Sequence, residues 1–286
     1  MKKLALLAVL AISFNSFAQT TNRLVFQKGQ KLEVTREVKI AATTEFMGQS
    51  MEQTINSTTT EVLDVQDAGE KGTTFEHKIK RLLINAEGMG QKQSFDSEKE
   101  GDRSGEMGKI FEKSLKNKYT FSVDPAGKIT SVKADDDNPN DEETKMMVQM
   151  ASQQMGIDLS LPTVGKSSQF KILPAYSIKK GDTWTDTTSE DGEKRSINYT
   201  VAEMNNNEIL LDFTSTMSVS KTQDIMGTEA TINSNGKSTG RVVIDRKSSV
   251  LKQRTENGEV TGTIEAQGQS IPTSGKTTIT VTVKPA

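Results

Sequence analysis

The chain has 286 residues, of which 33% are apolar, 5% aromatic and 26% charged, and its formal net charge is −2. That balance leaves no basic surplus for nucleic acid and no basic run for anionic lipid. With no cysteine, the chain can carry neither disulfides nor the cysteine-linked lipid of a bacterial lipoprotein, so its stability rests on burial.

Residues 1–18 read as a secretory signal peptide. Lys2 and Lys3 precede an apolar run from Leu4 to Ile12, and Ser16-Phe17-Ala18 places small residues at the two cleavage-recognition positions, with cleavage before Gln19. The run is too short to span a bilayer, and no other stretch approaches the ~18 apolar residues a transmembrane helix needs. These features predict an exported bacterial protein, periplasmic or extracellular and soluble. Residues 19–286 are expected to form one β-rich domain.

The dominant texture after the signal is alternation. "EVLDV", "YTFSV", "GRVVI" and the C-terminal "TTITVTVK" alternate apolar and polar residues. Period two with β-branched residues marks half-buried strands. Met-Gly occurs at Met47-Gly48, Met89-Gly90 and Met226-Gly227, each time between strand-like segments. Glycine tolerates the positive φ of a tight hairpin, so these are expected hairpin tips, with Gln267-Gly268 as a fourth. His77, the one histidine, falls in a strand with no Cys or second His to complete a zinc site or a triad, and reads as a strand residue without a chemical role.

Two segments break the alternation with helical spacing. In "SGEMGKIFEKSLKNK", Met107, Ile110, Phe111, Ser114 and Leu115 share a face, and Ser104 is a candidate cap. The acidic run from Ala134 lacks the Gly and Glu of a calcium loop: counted from Asp135, the sixth and twelfth positions are Asn140 and Met146. The run reads instead as a solvated linker leading into a helix over about 141–155, with Asn140 as cap and Met147 and Met150 on one face. Trp184, the single tryptophan, is expected to anchor a strand in the core.

An internal repeat links these parts. "QKGQKL" at Gln27 parallels "KKGDTW" at Lys179, and "VQDAGEKGTTFE" at Val65 parallels "VAEMNNNEILLD" at Val201. Met89-Gly90 recurs at Met226-Gly227, and the turn residue Asp124 recurs at Asp245. The same order of cues predicts two copies of a β-meander, about 24–133 and 170–286. The expected fold is mainly β: a curved antiparallel sheet or half-barrel from these repeats, with the helices 105–116 and 141–155 packed on its apolar face. An outer-membrane barrel is disfavoured, because the strands alternate Thr, Lys and Glu with modest Val and Ile, and the terminal "VKPA" has no aromatic.

The segments "MGQKQSFDSE" at Met89, "FSVDPAGKITSV" at Phe121 and "KGDTW" at Lys180 resemble an uncharacterised family of exported proteins from Bacteroidetes-type bacteria. That resemblance implies no activity. A meander with helices laid against it is also similar, in architecture, to the bacterial lipoprotein-carrier fold, a half-barrel with an apolar concave face.

No catalytic constellation, cofactor motif or metal site emerges, so a non-catalytic protein is expected. The first reading is a binding or carrier protein for an apolar ligand such as a lipid or acyl chain. Met107, Ile110, Phe111, Leu115, Met147 and Met150 are the expected contacts, because flexible methionines fit varied apolar shapes. The alternative is a structural or protein-interaction module of the cell envelope, its strand edges open to a partner protein.

Overall fold

The computed structural model describes residues 22–46, 48–88, 90–134, 148, 152, 155–225 and 228–286. The expected signal peptide and nearly all of the expected helix over 141–155, with Met147 and Met150, lie outside the described residues. The elements in chain order are β1 (Lys31–Phe46), β2 (Gln49–Gly69), β3 (Gly72–Gly88), β4 (Gln91–Asp96), α1 (Glu100–Ser104), α2 (Glu106–Lys116), β5 (Lys118–Val123) and β6 (Ile129–Ala134). They continue with β7 (Thr183–Glu190), β8 (Glu193–Met204), β9 (Glu208–Ile225), β10 (Thr228–Asp245), β11 (Leu251–Ala266) and β12 (Gln269–Pro285).

All twelve strands join one curved, open sheet, in the order β6-β5-β3-β2-β1-β12-β11-β10-β9-β8-β7, with β4 beside β3. Every pairing is antiparallel. The sheet's centre is the pair β1–β12, where Val34 faces Val283 and Val38 faces Ile279. The alternating C-terminal stretch is therefore a central strand, flanked on its other side by β11.

The expected tips are two-residue hairpins. Phe46 pairs with Gln49 around Gly48 (φ 78°), Gly88 with Gln91 around Gly90 (φ 73°), and Ala266 with Gln269 around Gly268 (φ 74°). Primed turns of this length need positive φ, and their twist matches that of the strands they join. Ile225 and Thr228 likewise pair across Met226-Gly227.

β3 is shared. Its end at Leu83–Gly88 pairs with β4, and its start at Thr73–Lys78 pairs with β5. Between these pairings the chain leaves the sheet through α1 and α2. Ser104 does not cap α2: it ends α1, where its Oγ donates to the Gly101 carbonyl, and Gly105 occupies the N-cap without a side-chain bond. α2 nevertheless buries the expected face. Phe111 is 0% exposed and packs with Leu82, Ile84, Phe95 and Ile157.

A larger core fills the other end of the concave face. Phe75 stands at its centre, 5.0 Å from Phe26, 5.1 Å from Phe121 and 5.9 Å from Phe170, centroid to centroid. Phe26 precedes β1, and Phe170 lies on a strandless segment between β6 and β7. That segment is tied to the β5–β6 turn by Ile129 N to Lys166 O and Ser168 N to Gly127 O, then reaches β8, where Gly181 N donates to Val201 O. Trp184 meets its expectation, stacking on Tyr199 at 5.3 Å against this core.

Neighbouring strands leave no room for a side chain at Gly240. A Cβ there would lie 2.5 Å from the Phe213 ring and 2.1 Å from the Thr255 carbonyl oxygen. Gly240→Ala is therefore expected to cost about 1–3 kcal/mol, read from the urea midpoint, because backbone on one side cannot yield.

Candidate functional site

Between the two filled clusters, the inward residues of β2 change character. Val65 and Leu63 are large and apolar, whereas Glu61, Thr59 and Ser57 are small or polar. Among the described residues no side chain fills the face above them, and a cavity of about 1280 Å³ lies there. Its floor comes from β1 (Val34, Arg36), β2 (Thr59, Glu61, Leu63), β3 (His77, Ile79), β5 (Tyr119, Phe121) and β12 (Val281). Its walls come from the end of α2 (Lys113, Ser114, Asn117) and from the strandless segment at 157–163 and 166–169. Ordinary small-molecule pockets hold ~300–1,000 Å³, so this space is large for a ligand site.

A bulge shapes the floor. Glu61 pairs with Ile79 and Thr60 with Arg81, leaving Lys80 as an extra residue on β3. The insertion switches the inward parity, so Phe75, His77 and Ile79 face inward before it and Leu82 and Ile84 after it. Arg81 is turned outward, where it grips Asp96 through two hydrogen bonds of 3.1 and 2.7 Å.

The floor carries a polar patch. His77 is 5% exposed; its Nε2 lies 3.3 Å from Glu61 Oε2 and its ring stacks on Tyr119 at 4.3 Å. Burial pushes the Tyr119 phenol far above its ordinary value, and the carboxylates of Glu61 and Asp158 push the same way. Arg36 lies diagonal to Glu61, opposite Thr59 and Val281. Among the described residues, four that line the cavity bury a side-chain polar atom without a hydrogen-bond partner: Arg36 Nε, His77 Nδ1, Ser152 Oγ and Ser168 Oγ.

A second patch on the same face is, by contrast, closed on itself. Glu256 accepts from Arg195 Nη2 at 2.7 Å, Arg254 Nη2 at 2.8 Å and Ser238 Oγ at 2.6 Å. The Arg254 guanidinium also lies 4.5 Å from the centre of the Phe213 ring. Burial opposes ionisation of Glu256, but the Ser238 hydroxyl and the two guanidiniums outweigh it and hold the carboxyl below its ordinary value.

The family's sequence profile matches residues 70–251. The chain belongs to the DUF6263 family, a family of unknown function. No curated protein matches it in sequence. Among solved structures it is similar to lipovitellin, in a structure describing lipid–protein interactions, with a TM-score of 0.50 over 91% of this chain at 10% identity. The chain spans 26% of that protein, and the likeness is one of fold. An outer-membrane channel from Pseudomonas putida (TM-score 0.25, 8% identity, 92% of this chain and 98% of that one) and the β domain of the Bordetella autotransporter BrkA (0.26, 9%, 90% and 99%) are too distant to carry an argument. No helix among the described residues is long and apolar enough to cross a membrane.

In this DUF6263 chain the expected contacts on α2 stay together but do not line the cavity. Phe111 is in the second core cluster, with Met107, Ile110 and Leu115 packed against it. The same helix reaches the cavity through Lys113, Ser114 and Asn117 instead. The sequence reading missed Arg36, Glu61 and His77. Their signal was parity: each stands in the apolar register of its strand, between Val34 and Val38, next to Leu63, and between Phe75 and Ile79.

Proposed function

We propose that this DUF6263 protein is a non-catalytic binding protein that holds a single apolar chain, such as an acyl chain, in the concave-face cavity. The observation that carries the reading is the 1280 Å³ space floored by Val34, Leu63, Ile79, Phe121 and Val281. An apolar surface of this kind favours an apolar occupant through the water it releases. The lipovitellin likeness supports the reading, since that structure concerns lipid–protein interactions. We further propose export by the N-terminal signal, on Lys2, Lys3, the Leu4–Ile12 run and Ser16-Phe17-Ala18.

The repeat is part of the same proposal. In the second half β10 runs along β9 without a break, from Thr228 to Asp245. In the first half β4 and β5 together take the place beside β3 that β10 takes beside β9. The first copy then differs by the α1–α2 excursion, which supplies one wall of the cavity.

The test is a titration with N-phenyl-1-naphthylamine, a neutral probe that fluoresces in apolar sites. Saturable binding is expected, and Ile79→Trp, which fills the floor, is expected to weaken it at least about tenfold while moving the melting temperature by no more than about 2–4 °C. Absence of saturable binding, or unchanged binding to Ile79→Trp, overturns the reading. A role as an envelope interaction module draws support from the sheet's open edges at β6 and β7. Isolation of the protein from its own cells with a stoichiometric protein partner and no lipid, by native mass spectrometry, would favour that role.

A further inference from the structure

We propose that the guest has an anionic oxygen head group, a carboxylate or a phosphate monoester, and that Arg36 is the residue that receives it. This rests on the cavity being a binding site for an apolar chain, and adds the chemistry of the chain's other end.

Arg36 is anomalous among the sheet's arginines. Arg81 pairs with Asp96, Arg195 and Arg254 with Glu256, and Arg241 with Asp212. Among the described residues Arg36 has neither an ion pair nor a side-chain hydrogen bond, and its buried Nε has no partner there. It also stands in an apolar register, one strand from Val281 and two from the satisfied Arg254. A guanidinium half-withdrawn from water without a partner is costly. The nearest carboxylate on the floor, Glu61, is engaged by His77 at 3.3 Å instead.

The unmet donor selects a class of guest. A guanidinium presents a planar fork of N–H donors that matches carboxylate and phosphate oxygens, and charge-assisted bonds of this type are about twice as strong as neutral ones. An alkane would leave Arg36 as it is, and an ester carbonyl would give it a neutral acceptor without the opposing charge. The surroundings favour an anion as well. Lys113, Lys118 and Lys166 line the cavity with Arg36, against the carboxylates of Glu61 and Asp158. Lys118 and Lys166 face Glu76 and Glu190, at 3.7 and 2.6 Å, so Lys113 is the further cation to draw an anion inward. An amphiphile seated this way would lay its chain over Leu63, Ile79 and Phe121 and bring its oxygens to Arg36.

The experiment displaces N-phenyl-1-naphthylamine with dodecanoate, dodecyl phosphate and dodecanol, which share one chain and differ only in the head. The wild-type protein is expected to bind at least one anion about tenfold or more tightly than dodecanol; the tighter anion identifies the head group. Arg36→Met, which keeps the stem and removes the fork, is expected to bring that preference down about tenfold. Equal affinity of the wild-type protein for all three heads overturns the inference and leaves the binding site standing. So does a preference that survives in Arg36→Met. Failure of all three to bind overturns the site itself, and this inference with it. If Arg36→Met does not fold, the wild-type comparison still decides the head-group class, and Arg36→Lys, which keeps the charge but loses the fork, decides the residue: an undiminished preference there overturns the role of Arg36.

Discussion

Phe75→Ala is expected to destabilise the protein by about 3–5 kcal/mol, the range for large aromatic truncations in a filled core. Phe75 is 0% exposed and meets rings from three separate parts of the chain: Phe26 before β1, Phe121 on β5 and Phe170 on the strandless segment. Truncation leaves a void that none of the three can readily fill, because Phe121 is held in β5 and Phe26 and Phe170 lie beside backbone anchors at Val25 N–Ser248 O and Ser168 N–Gly127 O. The check is urea unfolding, with the midpoint lowered and the slope unchanged. Phe46→Ala is the control: Phe46 is 38% exposed beside a hairpin tip, and a change within about 0.5 kcal/mol is expected there. The loss at Phe75 should also reach the cavity, since Phe170 follows Lys166–Gln169 in the wall. Weakened N-phenyl-1-naphthylamine binding below the unfolding transition is the corresponding sign.

Glu256→Gln is expected to cost about 2–3 kcal/mol near neutral pH. Removing one partner of a buried ion pair costs ~3–5 kcal/mol, reduced here because Arg195 keeps contact with water. The effect carries a pH signature. The folded Glu256 carboxyl titrates below the ordinary 4.5, held there against burial by Ser238, Arg195 and Arg254. A depressed carboxylate contributes its stability above the unfolded value and loses it as pH falls toward the folded one. The gap between wild type and Glu256→Gln is therefore widest near neutrality and closes below pH 4.5. Unfolding curves at about pH 7 and about pH 3 measure it. An equal gap at both would mean that the Arg195–Glu256–Arg254 cluster contributes nothing through charge.

Elements defined by local chemistry were legible in the sequence. The alternation of "TTITVTVK" marked β12, the Met-Gly pairs marked hairpin tips, and the spacing of Met107, Ile110, Phe111 and Leu115 marked the buried face of α2. Position in the sheet was not. Nothing local announces that β12 returns to pair with β1, because that register is set by residues more than two hundred positions apart, such as Val34 and Val283. The segment through Phe170 has no periodicity to read, yet it roofs the main core. The Lys80 bulge reverses which side of β3 faces inward, and in "FEHKIKRLLIN" it looks like an unremarkable run of charges. The cavity is hardest to see of all, since it exists where side chains are small or absent. Its polar residues left a trace even so: Arg36, Glu61 and His77 hold positions on three adjacent strands that alternation assigns to apolar groups. One such residue is ordinary, but three on neighbouring strands mark a face built to meet something other than a hydrophobic core.

Methyl NMR of the full protein titrated with dodecanoate puts the binding account to its most direct test. The account predicts saturable shifts centred on methyl groups that line the cavity, among them Val34, Leu63, Ile79, Ile157, Leu159 and Val281. Ile232, Ile264 and Ile271, which meet on the far ends of β10, β11 and β12, should stay in place. Shifts centred on those three, or none at any methyl up to saturation of the lipid's solubility, would contradict it.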